Sequence, residues 1–209
     1  MSLATLRWMA NQCRGLANGL TQIHRWNSPP YGRKDHSLTV PKPNPQGSEL
    51  IGHHGDIKPQ NLLWFQNPDG GPDEGVLKIT DFGQTEFKAG RTTFNQSGKR
   101  APVSPSFRPP EYDIKGGNGR SHDIWALGCV YLDFIAWVLG GWELIKEFSA
   151  ARISHDPGWH GMDTDVYFEI SDESGRKVAA IKPAVTGVSQ IPFSLLSVMV
   201  TTPMLYPVF

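Results

Sequence analysis

The sequence is short of several things, and each shortage excludes something. Its 209 residues hold two cysteines, Cys13 and Cys129, too few for a disulfide framework or a cysteine-built zinc site. Both sit in apolar periodic segments and read as small core hydrophobes in a reducing compartment. Excess charge of either sign is missing, since 20 Lys and Arg balance 20 Asp and Glu. Such a chain has no electrostatic footprint for nucleic acid or an anionic membrane, so neither is expected as a partner. The first twenty residues carry Arg7 and Arg14 within an amphipathic pattern and no unbroken apolar stretch. That is not a secretory signal, and a cytoplasmic or nuclear location is expected. Asn95-Gln96-Ser97, formally a glycosylation sequon, is then a chance match.

What is present begins with periodicity. Leu6, Met9, Cys13, Leu16, Leu20 and Ile23 recur at steps of three and four, which predicts an amphipathic helix over Leu3 to Trp26. Asn27 to Leu50 is rich in proline and poor in apolar residues, and reads as a surface insertion. His54-Gly55-Asp56-Ile57-Lys58-Pro59-Gln60-Asn61 then places a carboxylate, a cation and an amide in one Pro-stiffened loop, followed by the strand-like run Leu62-Leu63-Trp64-Phe65. Phosphoryl transfer needs that set: a base for the acceptor hydroxyl, positive charge on the moving phosphoryl group and an oxygen ligand for Mg²⁺. Val76 to Thr80 alternates like a second strand and delivers Asp81-Phe82-Gly83, with a turn-rich connection from Gln66 to Asp73 between the two. A hairpin there would bring Asn61 and Asp81 together over one metal site.

These residues carry a resemblance. The first loop is similar to the catalytic loop of protein kinases, Asp81-Phe82-Gly83 to their metal-binding Asp-Phe-Gly, and Pro109-Pro110-Glu111 to their Ala-Pro-Glu. Ser121-His122-Asp123-Ile124-Trp125-Ala126-Leu127-Gly128 resembles the central helix whose Asp supports the catalytic loop backbone. From about Leu3 to Gly141 the chain thus resembles the C-terminal, large lobe of a eukaryotic-type serine/threonine protein kinase. The implied fold is mainly α with a small β-hairpin element (α+β). Residues 1–187 would form the lobe, with 27–50 an insertion, 81–111 the activation segment, and 188–209 a divergent apolar tail. Asp56 would be the catalytic base, Lys58 would steady the γ-phosphate of ATP, and Asn61 and Asp81 would hold Mg²⁺. His54, Phe82, Gly83, Glu111 and Asp123 would be structural supports, His54 packing under Phe82. A protein bearing Ser or Thr is the implied substrate. Lys58 and Ser104, where such kinases usually have a Thr facing the loop, favour that specificity, while Phe107 stands where the family usually has Tyr. Thr92, Thr93 and Ser97 are candidate phosphorylation sites.

The sequence also departs from the family's pattern. Gly55 replaces the Arg that clamps a phosphorylated activation loop, so that switch has no cation to work with. No Arg follows Arg176, which leaves Glu111 without its usual partner; breaking such a buried pair costs on the order of 3–5 kcal/mol. No glycine-rich loop or strand lysine precedes the opening helix, and Val178-Ala179-Ala180-Ile181-Lys182 only mimics that strand. Gly116-Gly117-Asn118-Gly119 is a turn and not a phosphate loop, because no strand precedes it. A truncated kinase domain, inactive alone, is the expectation. A small-molecule phosphotransferase of the aminoglycoside or choline kinase type competes, because His-Gly-Asp suits it. So does a pseudokinase-like module docking a partner on an exposed lobe face.

Beyond the loop, Ser121 to Gly141 predicts a helix apolar almost all round, the mark of a buried central helix. A membrane span is its rival by length, opposed by His122, Asp123, Asp133 and Glu143. Val166 to Ile170 and Lys182 to Val185 are compatible with later helices of the lobe.

Overall fold

The computed structural model describes residues 3–25, 50–67, 75–89, 103–115 and 119–189. Most of the proline-rich stretch, most of the connection after Gln66, Thr92, Thr93, Ser97, Gly116 to Asn118 and the tail from residue 190 lie outside the described residues.

The predicted opening helix is α1 (Leu3–His24). Leu6, Met9, Leu16, Leu20 and Ile23 are buried along one stripe, as the three-and-four spacing requires. Gln12 shares that stripe for a different reason. Its amide donates to the Gly75 carbonyl at 3.1 Å and accepts from the Leu77 amide at 2.8 Å, capping the edge of a strand. That strand, β3 (Gly75–Ile79), pairs antiparallel with β2 (Leu62–Gln66) in the register Leu62 to Ile79. The predicted hairpin is present, and α1 packs across it.

A second ladder joins β1 (Leu50–His53) to β4 (Glu86–Ala89). Leu50, assigned to the insertion by composition, opens that strand. Gly52 in β1 faces the end of α1, where a Cβ would stand 2.0 Å from the Ile23 carbonyl oxygen. Only glycine permits that approach.

A short helix, α2 (Pro110–Lys115), starts on proline, whose missing N–H is free of duty at that position. The long α3 (Arg120–Arg152) is broken at Gly141, where φ is 65° and ψ is −154°. The break falls where the apolar run was predicted to end. By length and composition alone α3 could cross a membrane, but a core helix passes the same test. His122, Asp123, Ala126, Leu127, Cys129, Val130 and Ala136 are buried, while Ile124, Trp137 and Trp142 are exposed. The expectation of a helix buried all round is therefore corrected: α3 buries a stripe. Uniform apolarity cannot say which face packs.

The chain after α3 is also more β-rich than predicted. β5 (Ser154–Asp156) pairs with β6 (Met162–Thr164), and β7 (Phe168–Glu173) with β8 (Arg176–Ile181), before α4 (Pro183–Ser189). Val166 to Ile170, read as helix-compatible, instead leads into a strand. The cause is the turn Ser174-Gly175, with φ of 57° and 83°. Two consecutive left-handed residues are the hairpin geometry that matches strand twist. The architecture is α+β, with four helices and four two-stranded ladders among the described residues.

Two apolar clusters hold these elements. Leu16, Leu20 and Ile23 of α1 meet Ala126, Leu127 and Val130 of α3 around Ile57 and Leu62. The second gathers Cys129, Ala136, Phe148, Tyr167 and Val185. Neither cysteine forms a disulfide. Burial pushes the Cys13 thiol up to about 11 and that of Cys129 higher still, so both are poor nucleophiles.

Candidate active site

The loop from His54 to Asn61 is pinned by its one apolar residue. Ile57 plugs into the first cluster, so its neighbours Asp56 and Lys58 project to the other side. A single 3-10 turn, Pro59–Asn61, starts on proline and closes with the Asn61 amide donating to the Lys58 carbonyl at 3.0 Å. Asn61 is thereby folded back onto Asp56. Its Nδ2 donates to the Asp56 carbonyl at 2.8 Å and to Oδ2 at 3.1 Å. Lys58 Nζ lies 2.6 Å from the same Oδ2. From the far side of the sequence Ser104 donates to Asp56 Oδ1 at 2.8 Å, and Lys58 Nζ donates to the Ser104 hydroxyl at 3.1 Å.

Burial alone would push the Asp56 carboxyl up. The hydrogen bonds from Lys58, Ser104 and Asn61 and the charge of Lys58 outweigh it and hold the group below the ordinary carboxylate value. Asp56 is therefore ionised at neutral pH and acts as an acceptor. An ionised carboxylate offers about four acceptor positions. Lys58 and Asn61 take Oδ2, and Ser104 takes one side of Oδ1.

Behind the loop stands Asp123, at the first turn of α3 and fully buried. Its carboxylate accepts from the backbone amides of His54 at 2.8 Å and Gly55 at 2.9 Å. His24 Nε2 at 2.8 Å and His53 Nδ1 at 3.1 Å complete its shell. Burial opposes the charge, yet these bonds win and place the Asp123 carboxyl far below the usual range. Gly55 serves the same bend. Its φ is +88°, and a Cβ would meet the Gln84 carbonyl at 3.0 Å.

His54 links the loop to the next segment. Nε2 lies 3.0 Å from the Thr80 carbonyl, and Nδ1 accepts from the Asp56 amide at 3.3 Å. Burial lowers its pKa, so the neutral ring donates through Nε2 and accepts through Nδ1. The ring meets Phe82 edge-on at 5.4 Å. Thr80 in turn donates to the Asn61 carbonyl through its amide, at 2.9 Å, and through its hydroxyl, at 3.0 Å. The pairing places Asn61 and Asp81 at the same end of the β2–β3 hairpin, as the strand reading predicts. Asp81 is exposed in a left-handed conformation, φ 61° and ψ 75°, with its side chain accepting from the Gly83 amide at 3.2 Å. The Asn61 amide nitrogen is spent on Asp56, so its side-chain oxygen is the atom that could serve a metal. An amide oxygen and a carboxylate are hard donors that fit Mg²⁺, which takes one or two protein carboxylates alongside substrate phosphates. Among the described residues no group of three or more His, Cys, Asp or Glu is placed to hold a metal alone.

Glu111 stands apart, half-buried on α2. The residues that sequence reasoning missed are polar and buried. Arg108 joins Asp113 and Asp156, and His24 and His53 face Asp123. His24 and His53 flank recognisable elements, but a histidine at a helix end carries no signal of its partner. Arg108 has one weak signal, a lone cation in the apolar stretch Phe107-Arg108-Pro109-Pro110.

Comparison with known proteins finds a likeness over a defined span. The protein kinase domain family matches residues 50–139. The yeast Serine/threonine-protein kinase HAL4/SAT4 (Saccharomyces cerevisiae) is 42% identical over 81 residues, which cover 38% of this chain and 12% of that protein. Mitogen-activated protein kinase kinase kinase A of Dictyostelium discoideum is 33% identical over 97 residues, 46% of this chain and 9% of its own. CBL-interacting protein kinase 20 of Oryza sativa subsp. japonica is 34% identical over 90 residues, 42% of this chain and 18% of its own. Over the matched stretch, 90 of the 209 residues, the chain is similar to part of a eukaryotic-type protein kinase domain. The chain spans less than a fifth of the length of each of these three relatives.

Proposed function

We propose that residues 1–187 form the C-terminal lobe of a serine/threonine protein kinase, with 27–50 as an insertion and 81–111 as the activation segment. The observation that carries this reading is the convergence of Lys58, Asn61 and Ser104 on the carboxylate of Asp56. ATP is the phosphoryl donor and a protein Ser or Thr hydroxyl the acceptor. Asp56 orients that hydroxyl through the open side of Oδ1 and takes its proton as the oxygen–γ-phosphorus bond forms and the bond to the bridging oxygen of ADP breaks. A low pKa suits a base that receives the proton late, after the phosphoryl group has largely transferred. Lys58 supplies positive charge to the γ-phosphate oxygens. Asn61 and Asp81 would hold Mg²⁺, which neutralises charge on the β- and γ-phosphates when bound. His54, Phe82, Gly83 and Asp123 hold these groups in place, and Glu111 belongs to α2 at the end of the segment.

The 209 residues contain no glycine-rich loop to cover the nucleotide, so we infer that the chain alone transfers phosphate poorly. Mg-ATP binding tests the site directly. Calorimetric titration should show weak binding that requires Mg²⁺, lost in Asp81→Asn and kept in Asp56→Asn. Binding that ignores both Mg²⁺ and Asp81 would overturn the assignment.

A further inference from the structure

The segment that carries Ser104 is held from behind by residues the reaction does not use. Arg108 is buried to 1% exposure, and every nitrogen of its guanidinium is engaged. Nε donates to Asp113 Oδ2 at 2.9 Å, Nη2 lies 2.5 Å from Asp156 Oδ2, and Nη1 donates to the Pro105 carbonyl at 2.8 Å. The planar group lies 5.3 Å from the Trp159 ring and 5.4 Å from Phe168. Two residues before Arg108, Ser106 donates to Asp165. Asp165 also accepts from Ser149 at 2.7 Å, and its carbonyl accepts from Arg152 at 3.0 Å. Pro105, next to Ser104, is thus fixed through its carbonyl, and the residue after it through its hydroxyl.

Of the three anchoring carboxylates, Asp156 and Asp165 come from the chain beyond α3 and Asp113 from α2. Asp156, at the end of β5, is itself held by the Gly158 amide at 3.0 Å and by the Thr164 hydroxyl. Asp113 is wedged against Gly158, where a Cβ would stand 2.7 Å from its Oδ2. Buried charge is a poor route to stability, because an apolar substitute of similar shape serves about as well. What a forked, planar cation gives is a fixed direction. Its third arm points at the carbonyl adjoining Ser104.

We propose that Asp156 and Asp165 are positioning residues that act through Arg108 and Ser106 to clamp residues 104–108, so that the Ser104 hydroxyl meets the Asp56 carboxylate. The clamp deepens the proposed function and rests on it for its purpose. It replaces a tie through Glu111, which forms no ion pair among the described residues. The substrate-facing segment is therefore coupled to the β5–β6 ladder.

The test compares Asp156→Asn with Gln12→Ala in the full chain. Gln12→Ala removes buried hydrogen bonds far from the clamp and serves as a control for general loss of stability. Two readouts are made by NMR: amide exchange at Ser104, Ser106, Phe107 and Arg108, and the titration midpoint of the Asp56 carboxyl carbon. Asp156→Asn should speed that exchange by about tenfold or more while α1 stays protected, and should raise the Asp56 midpoint, because the Ser104 bond that lowers it is loosened. Gln12→Ala should move neither. Unchanged values in Asp156→Asn, or equal changes in both variants, would overturn the clamp. If Asp156→Asn fails to fold, Ser106→Ala cuts the second tether alone and must shift both readouts in the same direction, and its silence overturns the clamp equally. Neither measurement requires phosphate transfer, so Mg-ATP binding that ignores Mg²⁺ and Asp81 would count against the proposed function and leave the clamp to be decided by these two values.

Discussion

The hydroxyl of Ser104 donates to Oδ1 of Asp56 across 2.8 Å, although 48 residues separate them in sequence. Lys58 touches both, at 2.6 Å from the Asp56 carboxylate and 3.1 Å from the Ser104 oxygen. The three side chains form a closed ring of charge-assisted bonds, each shorter or stronger than a neutral pair. Removing one member should disturb the other two.

Ser104→Ala should therefore raise the Asp56 titration midpoint toward the ordinary carboxylate value and cut phosphate transfer by about tenfold or more, the worth of one hydrogen bond to a charged group. Ser104→Thr keeps the hydroxyl and should keep most of the rate. Steady-state kinetics on the two variants, each joined to a glycine-rich-loop lobe of a protein kinase, decides the matter, and equal rates for Ala and wild type would remove Ser104 from the site.

Asp123 gives a prediction about stability and pH. Its folded-state pKa lies well below the unfolded value near 3.9, so it adds stability that is fully present above about pH 5 and is lost as pH falls through the acid range. Asp123→Ala leaves His24, His53 and two loop amides without their acceptor and should cost about 3–5 kcal/mol in urea unfolding at pH 7. The variant should also show a shallower acid limb than the wild type between pH 5 and 2. Asp56 and Asp156, whose carboxyls are lowered as well, should keep that limb from vanishing. A variant whose acid limb matches the wild type would show that the buried carboxylate is not the linked group.

Gly55, where the resemblance implies an Arg, has a φ of +88°. Any side chain there must accept a left-handed backbone at roughly 1–2 kcal/mol and displace the Gln84 carbonyl. Gly55→Arg should therefore lower the unfolding midpoint and not create a working phosphate clamp. A stable Gly55→Arg protein with unchanged melting would show that the loop can accommodate a side chain at this position.

How much of this was legible in the sequence depended on the range of each interaction. The stripe of α1 is a local period, and five of its six predicted apolar positions are buried, with Cys13 half-buried. The β2–β3 hairpin was equally readable, because an apolar run and an alternating run bracket a turn. The Ser174-Gly175 hairpin was readable in principle, since a two-residue loop ending in glycine between alternating stretches is a strong signal, but residues 166–170 were assigned by their fit to a helical lobe. The Arg108 cluster was not readable at all. Asp156 lies 48 residues away from it, and nothing in a single sequence says which distant carboxylate a buried arginine will find. At the site, the positions of Asp56, Lys58, Asn61 and Asp81 came from motif spacing, whereas the paired histidines on Asp123 needed the packed ends of α1 and β1.

The measurement that bears most directly on the central claim is phosphate transfer from Mg-ATP to a generic Ser/Thr protein substrate, by the chain joined to a glycine-rich-loop lobe of a protein kinase. Wild type and Asp56→Asn are compared under identical conditions. The account predicts transfer in the wild-type fusion and a fall of about a hundredfold or more in Asp56→Asn, with the two proteins melting alike. A silent wild-type fusion, or transfer that persists when Asp56 is Asn, would contradict it.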